Sequence, residues 1–106
     1  MKSTADVILR TGVLEDAKAY YHGVLGFEIV TDTKGMLGFD TGSISFYFEP
    51  GEPNGPVFEF KVDDVNEAKE RLLAQGCTLV EENPAIPRCY MRDRFGLVYN
   101  LTTTHY

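Results

Sequence analysis

Chemistry in this sequence would have to come from a few ionisable side chains in short alternating stretches, because it contains no recognisable phosphate loop, nucleophile elbow or paired-cysteine zinc motif. Asp6 and Arg10 flank Ile8, Glu59 and Lys61 flank Phe60, and Tyr90 and Arg92 flank Met91. An even spacing puts each pair on one face of a β-strand. A carboxylate such as Asp6 or Glu59, or the Tyr90 phenol, could move a proton. Tyr90 beside Arg92 could stack on a flat molecule and read an anion or a carbonyl. The simpler account of Arg10, Glu59, Lys61 and Arg92 is cross-strand charge pairing on a wet face, which is worth little energetically. His22, near the end of a helix, and His105, at the C-terminus, are expected to be exposed rather than ligating. Cys77 and Cys89 are too few for a disulfide framework and read as reduced thiols in or near the core.

Two related stretches must position these groups. VFEFKVDDVNEAKERLLAQG, Val57 to Gly76, echoes VILRTGVLEDAKAYYHGVLG, Val7 to Gly26, about fifty residues earlier, with NEAK superposed on EDAK. In the later copy Phe58, Phe60 and Val62 alternate with Glu59 and Lys61, the period of a strand with one apolar face. Asp64 and Glu67 make a capping box, Val65, Ala68, Leu72 and Leu73 an apolar helical stripe, and Gly76 a stop. The earlier copy predicts a strand at Asp6 to Thr11 and a helix from Val13 to Gly26 with a stripe of Leu14, Ala17, Tyr21 and Val24. Strands are predicted at Phe27 to Thr31, Met36 to Asp40, Ile44 to Glu49, Thr78 to Val80, Arg88 to Arg92 and Leu97 to Thr103. The fold class is α+β: two tandem βαβββ modules, about 5–49 and 56–104, joined by a Pro/Gly linker over 50–55 within a single domain, 1–106. A ferredoxin-like dimer ranks second, because it needs fewer strands per helix.

Composition narrows the function. The chain has 106 residues, enough for one hydrophobic core, and a net charge of −6 with only ten Lys and Arg. That balance excludes a basic nucleic-acid face and is ordinary for keeping a small protein soluble. No apolar run approaches the roughly eighteen residues of a membrane span. The N-terminal segment lacks a signal-peptide pattern, which makes the cytoplasm the expected location.

AYYHGVLGFEIV (Ala19 to Val30), FEFKVDDVNEA (Phe58 to Ala68) and MRDRFGLVYNL (Met91 to Leu101) resemble the landmarks of the vicinal oxygen chelate superfamily, which includes glyoxalase I, bleomycin-resistance proteins and extradiol dioxygenases. The resemblance covers nearly the whole chain. It implies curled mixed sheets around a cavity and, for many members, a homodimer. Metal-using members take His and Glu ligands from the first and fourth strand of each module, and matching places those positions at Asp6, Phe46, Val57 and Asn100. Two of these cannot bind a metal, and the other two offer only oxygen donors, one of them neutral. No metal and no cofactor are therefore expected.

In step with those positions, Asp6, Ile8 and Arg10, Ile44, Phe46 and Phe48, Val57, Glu59 and Lys61, Arg88, Tyr90 and Arg92, and Val98, Asn100 and Thr102 are expected to point inward. The ligand-binding set is Asp6, Arg10, Phe46, Phe48, Glu59, Lys61, Tyr90, Arg92 and Asn100, with no catalytic residue assigned. Such a lining suits a flat organic molecule with one or two polar groups. Three readings follow. The first is a metal-free protein that sequesters an aromatic or amphipathic compound, with antibiotics among the candidates. The second is a metal-dependent lyase, isomerase or dioxygenase of the superfamily, or a metal-free enzyme using Asp6, Glu59 or Tyr90 as acid or base. The third is a subunit with a vestigial pocket that works through protein contacts.

Overall fold

The computed structural model describes residues 1–86 and 88–103, so His105 lies outside the described residues. The chain divides into two units, one of Ala5–Pro56 and the other of Met1–Thr4 with the residues from Val57 onward.

The first unit contains β1 (Lys2–Thr11) from Ala5 onward, α1 (Leu14–Lys18), β2 (Glu28–Asp32), β3 (Leu37–Asp40) and β4 (Ser45–Pro50). Its strands lie in the order β2-β3-β4-β1. β1 and β4 run parallel, and the β2/β3 and β3/β4 pairs are antiparallel. Buried Leu37, Phe39 and Phe48 pack with Leu9, Leu14, Ala17, Tyr21 and Phe46 into one cluster between the sheet and the helical segment.

That segment departs from the predicted single α-helix. After Lys18 it widens into a π-helix, Ala19–Val24, closed by Leu25 N–H to Tyr20 O and Phe27 N–H to Tyr21 O, at 3.0 Å each. In this wider coil the Tyr21 ring lies 5.6 Å from Phe39 and 5.2 Å from Phe48, whereas Val24, expected on the apolar stripe, is 70% exposed. A 3.6-residue period cannot register a change of pitch inside the helix, so the last apolar position was misplaced.

The second unit repeats the topology with β5 (Asn54–Lys61) from Val57 onward, α2 (Val65–Ala74), β6 (Thr78–Asn83), β7 (Arg88–Arg92) and β8 (Val98–Thr102), in the order β6-β7-β8-β5. β5 and β8 are parallel, and the other pairs antiparallel. The breaker-rich stretch is more ordered than expected: β4 runs through Pro50 and β5 starts at Asn54.

α2 follows its sequence signals closely. The Asp64 carboxylate accepts from Glu67 N–H at 3.0 Å. At the other end Gly76 takes φ +92°, and Cys77 N–H returns to Leu72 O at 3.1 Å while Gly76 N–H returns to Leu73 O at 3.2 Å. These two bonds satisfy carbonyls that the helix end leaves open. Ala68 of α2 packs with Val62, Cys89, Met91, Tyr99 and Leu101 to form the core, with Phe60 stacked on Tyr99 at 4.6 Å. Asp64→Ala is expected to cost about 1 kcal/mol through loss of the cap, and Asp64→Asn only a few tenths. Chemical denaturation midpoints of the two variants check this.

Candidate functional site

Paired residues in neighbouring strands share a sheet face, so register shows which side chains lie opposite the helix. In the second unit Glu59 pairs with Asn100 and Lys61 with Thr102, while Tyr90 pairs with Asn100 and Arg92 with Val98. The helix side takes Phe60, Cys89, Met91, Tyr99 and Leu101. Glu59, Lys61, Tyr90, Arg92 and Asn100 therefore share the face opposite α2, the shared parity expected of the inward-facing set.

In the first unit the expectation fails for β4. Val7 pairs with Phe46 and Leu9 with Phe48, whereas Asp6 pairs with Ser45, Ile8 with Tyr47 and Arg10 with Glu49. Phe46 and Phe48 thus belong to the helix-side cluster, and Ser45, Tyr47 and Glu49 take the inward face with Asp6 and Arg10. Ile44, also expected inside, lies in the turn before β4 and is 40% exposed.

The cause is a single residue of turn length. Asp40 pairs with Ser45 across a four-residue connection, 41–44, and Arg92 pairs with Val98 across a five-residue one, 93–97. Counting equal steps from Gly42 and Gly96 therefore lands on opposite faces. The counterpart of Asn100 is Tyr47, which sequence reasoning missed. Its ring lies against Gly38, where an added Cβ would sit 2.7 Å from Tyr47 Cε1. The unequal turns, TGSI and DRFGL, were the available signal.

Burial separates the inward residues into two kinds. Glu59, Tyr90, Asn100 and Thr102 are at most 2% exposed, and Asp6 and Tyr47 are 8% exposed. Lys61 and Arg92 are exposed. Asn100 is fixed at both ends of its amide: Oδ1 accepts from Cys89 N–H at 2.7 Å, and Nδ2 donates to Glu59 Oε2 at 3.4 Å. Arg88, rather than Arg92, lies over the Tyr90 ring, with its guanidinium carbon 5.3 Å from the centroid and Nη1 3.4 Å from Glu81 Oε2. Arg10 sits 4.0 Å from Glu49, the cross-strand charge pairing considered above.

These side chains do not fit the divalent ion that the superfamily resemblance implies. Val57 offers no donor, and the one coordinating oxygen of Asn100 is already held by the Cys89 amide at 2.7 Å. In the first unit the positions carry one carboxylate, Asp6, and one phenol, Tyr47. Among the described residues no three His, Cys, Asp or Glu side chains converge.

Two thiols lie near this frame and both are free, Cys89 buried and Cys77 half-buried. Burial pushes the Cys89 thiol up, which keeps it protonated. Burial, followed by the contact with Cys77 Sγ at 3.7 Å, raises the Tyr99 phenol from 10.0 to about 12. A folded-state value above the unfolded one means that the stabilisation is complete below pH 10 and is lost as pH rises towards 12. Alkaline titration of stability is expected to show a loss of about 2 kcal/mol across that window, and Tyr99→Phe is expected to remove that component.

Two copies of one α+β module, each with a mixed sheet, a helix on one face and polar side chains on the other, define the class of βαβββ-repeat proteins. The profile of the Glyoxalase/Bleomycin resistance protein/Dioxygenase superfamily matches residues 4–98, and the chain belongs to that superfamily.

Solved structures agree on the fold. Methylmalonyl-CoA epimerase from Mycobacterium tuberculosis is similar at 19% identity and a TM-score of 0.59, over 92% of this chain and 84% of that one. A protein from Staphylococcus aureus is similar at 18% identity and 0.65, over 99% and 97%. An extradiol ring-cleaving dioxygenase from B. fuscum is similar at 16% identity and 0.66, over 100% of this chain but 34% of its own, so the chain spans about a third of that enzyme. No curated protein gives a significant match.

Proposed function

We propose that this protein binds a small aromatic or amphipathic organic molecule without using a metal ion, as a sequestering member of its superfamily. The observation that carries this reading is the buried polar inward face of the second unit, where Glu59, Tyr90, Asn100 and Thr102 lie on the side of the sheet away from α2. A sheet face that served only as core would be apolar, because buried polar groups are costly unless they are hydrogen-bonded. Here Asn100 holds the Glu59 carboxylate in place, which is the kind of directed polar group that gives a small-molecule pocket its selectivity. Tyr90 under Arg88 adds a flat surface for stacking.

The role extends to Asp6, Arg10, Lys61 and Arg92 on the two inward faces, and it no longer includes Phe46 and Phe48. Antibiotics fall within the ligand class, and a homodimer in the cytoplasm is the setting proposed for the activity. Among the described residues no helix is long and apolar enough to cross a membrane.

The test is a thermal-shift screen of aromatic and amphipathic compounds, repeated on Asn100→Leu for every hit. Ligands that bind the native state raise its midpoint, and hits that lose their shift in the variant support the inward face. A screen in which no compound moves the midpoint favours the reading in which the domain works through protein contacts.

A further inference from the structure

We propose that Gly38 sets the width of the sheet face on which Tyr47 lies, and that the width it leaves admits a planar two-ring aromatic molecule. This rests on the ligand-binding role proposed above for that face, and it narrows the ligand class. Tyr47 pairs with Gly38 across β4 and β3, and Gly38 pairs with Thr31 across β3 and β2. The three therefore share one face of the first unit, the one away from the helix-side cluster, with Asp6 and Arg10 on the same side.

Gly38 sits inside β3, where a glycine gives up side-chain packing and often marks a place of close approach. Its backbone does not call for glycine, since its φ is not positive. The requirement is steric: a Cβ at position 38 would stand 2.7 Å from Tyr47 Cε1, 3.0 Å from Tyr47 Cδ1 and 3.1 Å from Thr31 Cβ. Side chains normally stand roughly perpendicular to a sheet. The Tyr47 ring instead leans across onto the neighbouring strand and fills the place of a side chain at 38, which leaves clear the height of an upright phenol. A face kept low by a ring lying along it matches a flat molecule better than a branched one. The atoms that an added Cβ meets belong to side chains, so Gly38→Ala lifts the ring and leaves the backbone in place. Gly38 and Tyr47 are both buried, and the lifted ring takes its room from the ligand's side of the face.

The experiment is an NMR titration of the full chain with 2-naphthol and, separately, with phenol, two uncharged probes that differ by one ring. In the wild type, NOEs are expected from the Tyr47 ring to the Gly38 Hα protons and the Thr31 methyl group, and 2-naphthol is expected to give saturable shifts at the amides of Gly38 and Tyr47. Gly38→Ala is expected to abolish the NOE to Thr31 and to weaken 2-naphthol at least about fivefold, and phenol less than about twofold, because overpacking costs the larger ring more. Equal weakening of the two probes, or none, overturns the proposal and leaves the binding role standing. Absence of the ring NOEs in the wild type also overturns it, as does a Gly38→Ala chain that does not fold, which would mean that the neighbouring side chains cannot give way. No saturable shift with either probe in the wild type overturns the aromatic-ligand reading and this proposal together.

Discussion

Replacing Gly55 with alanine is expected to remove about 3 kcal/mol of stability, from backbone strain and overpacking together. Gly55 takes φ +104°, in the left-handed region that favours glycine, and a Cβ there would stand 2.8 Å from Ile8 O and 3.1 Å from Leu9 Cα. Both neighbours are backbone atoms of β1, so no side-chain rotation relieves the clash. Gly42 provides the control. It has φ +107° but nothing within 4 Å of an added Cβ, so Gly42→Ala should cost only the strain, about 1 kcal/mol. Urea midpoints of the two variants decide the matter, and equal losses would show that the close approach of β1 contributes nothing.

The second large effect is expected at Asn100. Asn100→Leu leaves the Cys89 amide without its acceptor and takes a donor from Glu59, inside a region where neither is exposed to water. Stripping partners from buried polar groups costs about 1–3 kcal/mol each, so the combined loss is expected to be about 3 kcal/mol or more. Asn100→Asp separates the two contributions. It keeps an acceptor for Cys89 N–H but sets a second carboxylate against Glu59, and adjacent carboxylates raise the pKa of the pair in the folded state. Stability present below the unfolded carboxylate range is then lost as pH rises. The variant should be near wild type in acid and weakest at neutral pH. A flat pH dependence would mean that the Glu59 carboxylate does not sense position 100.

How much of this was legible beforehand varies from residue to residue. The duplication, the capping of α2 by Asp64 and the stop at Gly76 rest on local rules, and the structure follows them. That Glu59, Tyr90 and Asn100 share one sheet face was also readable, because they alternate with apolar neighbours. Phe46 and Phe48 were misassigned because strand parity amplifies a one-residue difference in turn length into a change of face. Tyr47 was hidden by the same step. The π-helical widening at Ala19–Val24 had no compositional mark, and Arg88 over Tyr90 depends on a side-chain direction that alternation alone does not determine.

The contrast between this chain and the metal-using pattern of its superfamily comes down to one comparison. At the positions that pattern uses, this chain places Val57, Asp6, Tyr47 and an Asn100 whose oxygen is already bonded to Cys89 N–H. Tight binding of zinc, nickel or iron needs several convergent imidazole, thiolate or carboxylate donors. The most direct test is elemental analysis of protein purified without chelator, followed by dialysis against a divalent metal and a second analysis. Substoichiometric metal in both samples is the result expected here. One tightly held transition-metal ion per chain, lost on Asp6→Ala or Glu59→Ala, would contradict it.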